Sequence, residues 1–174
     1  MPLHAPGSPK LLGVRFALNV FVAAGIVWFV LERLDDRNPI WAIASMVAAS
    51  EPQVKDAVKM FRSRTVNVLV GCAVGLIVLV VGGSHDWLLP LAVSCAVLVS
   101  SYWVRIQTMW RQAPITAALV ISSGLVEHSR LSGIEHGLHK VAEVIFGCVV
   151  GLAVSYAMAK LWPLAEADAP KAAA

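Results

Sequence analysis

Charge is what this chain has least of. Only 14% of its 174 residues are Asp, Glu, Lys or Arg, against about 25% in an ordinary soluble domain. So little polar surface cannot cover a globule in water. The deficit excludes a disordered chain, a basic nucleic-acid-binding domain and a typical soluble enzyme. The formal net charge of +3 is too small to name a partner by itself. Cysteine is also scarce: Cys72, Cys95 and Cys148 are odd in number and widely spaced. That excludes a disulfide framework and a zinc site, and leaves them as small core residues inside apolar runs. Catalytic signatures are missing too. No nucleophile–base arrangement, phosphate loop or catalytic metal motif stands in the sequence, so no enzyme activity is expected. His128, His136 and His139, with Glu127 and Glu135, read as one loop. No third ligand follows at a recognised spacing, so neither a metal nor another cofactor is expected.

What is present is apolar: 58% of the residues, with a mean hydropathy of +0.73. A spanning helix needs about 20 mostly apolar residues. Residues 13–31, 65–83, 87–104 and 141–159 approach that length. Residues 39–50 and 113–126 are shorter, reaching only about 18 and 21 Å at ~1.5 Å per residue. They span only by recruiting flanking residues, or they dip in and return. Residues 1–12, with Pro2, Pro6, Gly7 and Pro9, read as a flexible tail, as do residues 163–174. The first apolar run reads as a retained helix, since the charged cluster from Glu32 to Arg37 follows it where a signal sequence would carry a small-residue cleavage site. Residues 13–162 then form a single membrane domain. Trp87, Trp103 and Trp162 sit at run ends, where indole favours the headgroup layer.

The chain repeats itself. Asn67–Val78 and Glu143–Val154 are identical at seven of twelve positions at an offset of 76, and Arg64 matches Lys140 at the same offset. With a slip of one residue, Pro39-Ile40-Trp41-Ala42 matches Pro114-Ile115-Thr116-Ala117. Each half, residues 13–83 and 84–162, therefore runs long segment, short segment, basic linker, long segment. Three spans per half would turn the halves upside down relative to each other, as in many transporters. The expected fold is all-α and polytopic, with six transmembrane helices as two three-helix inverted repeats. The alternative is four spans plus two re-entrant segments. Lys and Arg divide ten to four between the two sides in either arrangement, so the positive-inside rule does not choose. The side reached by the C-terminus would.

Gly71-x-x-x-Gly75 and Gly147-x-x-x-Gly151 each set two glycines one turn apart on a helix face. In lipid, such faces let helices approach closely. The two faces are expected to pack, on each other across the pseudo-two-fold axis or, less favourably, in a dimer.

Charge at membrane depth is expensive, at least ~2.5–3.5 kcal/mol at the centre, and marks a partner or a wet cavity. Arg15 and Asn19 share one face of the first helix, with snorkelling to the headgroups as the bland alternative for Arg15. Glu51-Pro52 ends the first short segment. Lys55, Lys59, Arg62 and Arg64 form a basic linker, either a contact for anionic lipid or a funnel collecting organic anions. Glu143 falls in the expected first turn of the last helix, where the helix dipole favours it, or it partners Arg64 or Lys140. Trp103, Arg105, Gln107, Trp110 and Arg111 cluster between two segments, as interface anchors or as a binder of aromatic carboxylates.

Trp41-Ala-Ile-Ala-Ser-Met-Val, then Glu51-Pro52, the basic linker and Arg64-x-x-Asn67-x-x-x-Gly71 together resemble the membrane module of the fusaric acid resistance and aromatic acid exporter family. That family is distantly similar to plant aluminium-activated malate transporters. The likeness covers residues ~12–160, with Asn67-Val68 standing where Gly-Thr is usual. It implies six spans, a bacterial inner membrane with both termini cytoplasmic, and efflux or passive movement of organic anions. Arg64 is the position carried over from the family. The expected function is thus a transporter or channel for small organic anions such as aromatic carboxylates. Arg64, Arg62, Lys59, Glu51, Asn67, Arg15, Asn19, Arg105, Glu143 and Lys140 are its candidate pathway residues. The alternative is a non-transporting subunit or scaffold of an envelope efflux assembly. The expected partners are the lipid bilayer, a small organic anion and a second copy of the chain in a homodimer or other homo-oligomer, with no nucleic acid.

Overall fold

The computed structural model describes residues 9–34, 38–51, 53–83, 85–104, 112–127 and 130–162. Over these the chain is all-helical, with no strand. The helices are α1 (Pro9–Arg33), α2 (Ile40–Ala49), α3 (Val54–Gly82), α4 (Leu88–Val99), α5 (Gln112–Glu127) and α6 (Arg130–Leu161), and a π-helical stretch, Ser100–Val104, extends α4. Three stretches are long and apolar enough to cross a membrane: Gly13–Arg33, Val54–Gly82 and Leu131–Leu161. Ile40–Ala49, Leu88–Tyr102 and Gln112–Val126 are shorter apolar helices.

The basic stretch Lys55–Arg64 is not a linker but the opening turns of α3. Lys and Arg are good helix formers, and no Pro or Gly interrupts them. Glu135, His136 and His139 likewise belong to α6 rather than to a loop. His128 lies outside the described residues. Glu143 sits thirteen residues into α6, so no helix dipole holds it in a first turn.

Proline and glycine set the short elements. The N–H of Ile43 donates to the Pro39 carbonyl at 2.9 Å to open α2. Ser50, in extended backbone, closes it with its hydroxyl on the Met46 carbonyl at 2.8 Å. Pro52 then disfavours a helical Glu51. Gly83 at φ 80 ends α3, its N–H on the Leu79 carbonyl at 3.0 Å. An L side chain would be strained there.

Glycine faces decide the packing. A Cβ at Gly71 would overlap the backbone of Ala113, and one at Gly75 would meet the Ala117 carbonyl at 3.1 Å, so α3 and α5 run parallel in close contact. A Cβ at Gly147 would overlap the Ala42 backbone, and one at Gly151 would meet the Met46 carbonyl at 2.7 Å, so α2 and α6 also run parallel. The two glycine faces do not meet each other. Each seats on the short helix of the opposite half. Gly133 against Gly124, and Gly137 against Val120, make α5 and α6 antiparallel. Gly71 meets Ala113 as Gly147 meets Ala42, so the equivalent positions on α2 and α5 lie four residues away from the Pro-Ile-x-Ala match.

One apolar cluster joins Ala23, Val27 and Leu31 of α1 to Ala42 and Met46 of α2 and Val150 and Val154 of α6. A second joins Val68 and Cys72 of α3 to Val120 of α5 and Val141 and Val144 of α6. Phe21, Phe29, Ile77, Val81 and Leu131 point outward. Apolar side chains around the outside and polar ones within are the distribution of a protein dissolved in lipid.

Candidate functional site

Three buried polar centres lie inside the bundle. The first surrounds Arg64, 7% exposed, on the face of α3 turned to α2 and α6. Its Nη2 donates to the Ser45 hydroxyl at 3.3 Å, and the Cys148 thiol lies beside the guanidinium. Cys148 in turn donates to the Ser45 carbonyl at 3.8 Å. Nε and Nη1 of Arg64 are buried with no hydrogen-bond partner among the described residues. One turn on, Asn67 donates to the Ser63 carbonyl at 2.9 Å and accepts from the Ser100 hydroxyl at 2.6 Å. Ser100 opens the π-helical stretch, a distortion that often accompanies functional sites. This centre therefore holds a cation, neutral hydroxyls, an amide and a thiol. Its spare donors can hold an anion or a neutral acceptor such as water.

The second centre is a small, partly open cavity with room for about one water, lined by Arg15, Phe16, Asn19, Glu51, Ser155 and Met158. Arg15 and Asn19 are each 3% exposed. Asn19 Nδ2 donates to the Ser155 hydroxyl at 3.0 Å, tying α1 to α6. Arg15 Nη1 and Asn19 Oδ1 have no hydrogen-bond partner among the described residues, and water in the cavity can satisfy both. Seven residues of α6 separate Cys148 from Ser155, about 10 Å along the axis, so the two centres share one helix.

The third centre is an ion cluster on α6. Lys140 Nζ donates to Glu143 Oε1 at 2.6 Å, and His139 Nδ1 lies 2.9 Å from the same oxygen. Glu143 is buried, whereas the His139 side chain is 60% exposed and that of Lys140 25%. Glu143 thus partners Lys140.

The structure brings Arg64 and Asn67 together, Arg15, Asn19 and Glu51 together, and Lys140 and Glu143 together. Arg62 and Lys59 instead stand exposed on the opening turns of α3. Arg105 and the side chains of its aromatic neighbours Trp103 and Trp110 lie outside the described residues. Ser45, Ser100, Ser155 and Cys148 complete the centres without having been singled out. Ser155 had a signal: it continues the small-residue stripe Gly147, Gly151 at the next turn. Ser45 and Ser100 had none, since an isolated serine in an apolar helix is commonplace.

Comparison with known proteins identifies the chain at the level of family. The fusaric acid resistance protein-like family matches residues 17–154, from the middle of α1 to the last third of α6. No curated protein and no solved structure matches the chain. The matched stretch takes in the Arg64 centre and both glycine faces, and by it the chain belongs to the fusaric acid resistance protein-like family.

Proposed function

We propose that the protein is a membrane transporter or channel for small organic anions such as aromatic carboxylates, with Arg64 as the anion's anchor. The observation that carries this reading is a buried guanidinium that meets only neutral groups among the described residues, the Ser45 hydroxyl and the Cys148 thiol, with Nε and Nη1 unbonded there. Charge is retained at such depth where something charged must pass. Membership of the family supports a role in transport or resistance. Lys55, Lys59 and Arg62 extend from the same helix into the exposed zone, where they raise the local concentration of anions.

The same reading takes the six helices as six spans in two inverted repeats, in a bacterial inner membrane with cytoplasmic termini, assembled as a homodimer. Packing direction supports the inversion. α2 runs parallel to α6 and α5 antiparallel to it, so α2 and its counterpart α5 run in opposite senses.

Vesicles containing the purified full chain test the reading. Labelled benzoate should enter them faster than empty vesicles, and Arg64→Gln should slow entry by roughly 10–100-fold. That is the range expected from losing one hydrogen bond to a charged group at ~1.5–3 kcal/mol. Wild-type entry no faster than in empty vesicles, or unchanged entry with Arg64→Gln, overturns it.

A further inference from the structure

The two halves differ in charge at one matched place. The offset of 76 that aligns Gly71 with Gly147 and Cys72 with Cys148 also aligns Arg64 with Lys140 and Asn67 with Glu143. In each copy the cation precedes its mate by three residues, so the two side chains share a helix face. On α6 the mate is a carboxylate, buried and seated on Lys140 at 2.6 Å. On α3 the mate is an amide, engaged with Ser63 and Ser100, and no carboxylate reaches Arg64 among the described residues. The same scaffold therefore carries one cation neutralised from within and one left positive.

We propose that the molecule contains two copies of one carboxylate-binding site, and that Glu143 occupies the α6 copy as a built-in ligand, leaving the α3 copy at Arg64 for a carboxylate from solution. Asn67 is then the residue that keeps the working site open. A ligand carboxylate at Arg64 stands to that cation as Glu143 stands to Lys140. It takes the buried Nε and Nη1 donors that have no partner among the described residues. The anion route then has one binding step of this kind instead of two.

This proposal rests on Arg64 being the anion's anchor, and its test separates the two. Equilibrium binding of labelled benzoate is measured on the purified full chain. Asn67→Glu copies the α6 arrangement and keeps an acceptor for Ser100. It should weaken benzoate binding at least about tenfold, and more than Asn67→Gln, which changes the same side chain without adding a charge. Glu143→Asn copies the α3 arrangement and should raise binding from about one benzoate per chain to about two, and adding Lys140→Met should return it to about one. Asn67→Asp and Glu143→Gln replace any variant that does not elute as a folded species. Wild-type affinity in Asn67→Glu, or unchanged stoichiometry in Glu143→Asn, overturns the proposal and leaves the role of Arg64 standing. Absence of both binding and flux in the wild type overturns that role instead. The Glu143→Asn arm, which does not use Arg64, then still decides whether the α6 copy takes a carboxylate.

Discussion

Leucine at Gly71 or Gly147 should abolish the folded protein, whereas alanine at Gly25 should stabilise it. All three glycines lie inside long helices, so propensity alone favours every replacement, by ~0.8–1.0 kcal/mol for alanine. Space decides between them. A Cβ at Gly25 meets nothing within 4 Å. At Gly71 and Gly147 the first atoms met are the carbonyls of Ala113 and Ala42, which are backbone and cannot turn aside as a side chain would. Over-packing a well-packed core costs ~1–3 kcal/mol where side chains give way, and more where helix axes must separate. α2 has ten residues, and its seat on α6 runs through Gly147 and Gly151, so pushing the axes apart there removes its main support. Gly75 is the intermediate case: its neighbours lie at 3.1–3.2 Å, so Gly75→Ala should lower stability only modestly. Detergent-solubilised variants checked by size exclusion and thermal unfolding should rank Gly25→Ala above wild type, then Gly75→Ala, with Gly71→Leu and Gly147→Leu giving no monodisperse peak. Normal elution of Gly147→Leu would refute the close α2–α6 seat.

That ranking depends on a contact that only part of the sequence announces. The offset of 76 and the two glycine stripes are visible in the residue string, because small side chains one turn apart must share a face. Their partners are not. A glycine face receives a backbone carbonyl, which every residue carries, so nothing at Ala42 or Ala113 marks it as the receiver. Hence the expectation that the stripes would meet each other, where each meets the short helix of the opposite half. Helix ends were hidden for another reason. Apolar runs stop at the first charges, but helices do not, and α3 and α6 both begin eleven residues before the runs that mark them. Glu143 moved from a helix start to a helix interior for that reason alone. At the site, Arg64, Asn67, Arg15, Asn19 and Glu143 were legible because a polar group at depth is costly wherever it stands. Their grouping into separate centres was not, since it follows from which helices adjoin.

Arg64→Met should raise thermal stability and, in the same protein, abolish benzoate flux. Arg64 is buried, and its guanidinium meets only neutral groups among the described residues, the Ser45 hydroxyl at 3.3 Å and the Cys148 thiol. Replacing a poorly compensated buried charge by an apolar chain of similar length often stabilises, by ~1–4 kcal/mol. Methionine is flexible enough to fill the space beside Cys148. A gain of about 1–3 kcal/mol is therefore expected, seen as a rise of several degrees in unfolding temperature. Lys140→Met should do the opposite. Lys140 holds the buried carboxylate of Glu143 at 2.6 Å, and its removal takes a hydrogen-bonded cation from that charge. Breaking a buried pair costs ~3–5 kcal/mol; with Lys140 a quarter exposed, about 1–3 kcal/mol is the appropriate loss. Two matched cations in two matched helices should thus respond with opposite signs to one substitution. A residue whose removal steadies the fold is kept for something other than the fold. Should Arg64→Met melt below wild type, Arg64 is a structural cation like Lys140, and its place in an anion route loses its physical basis.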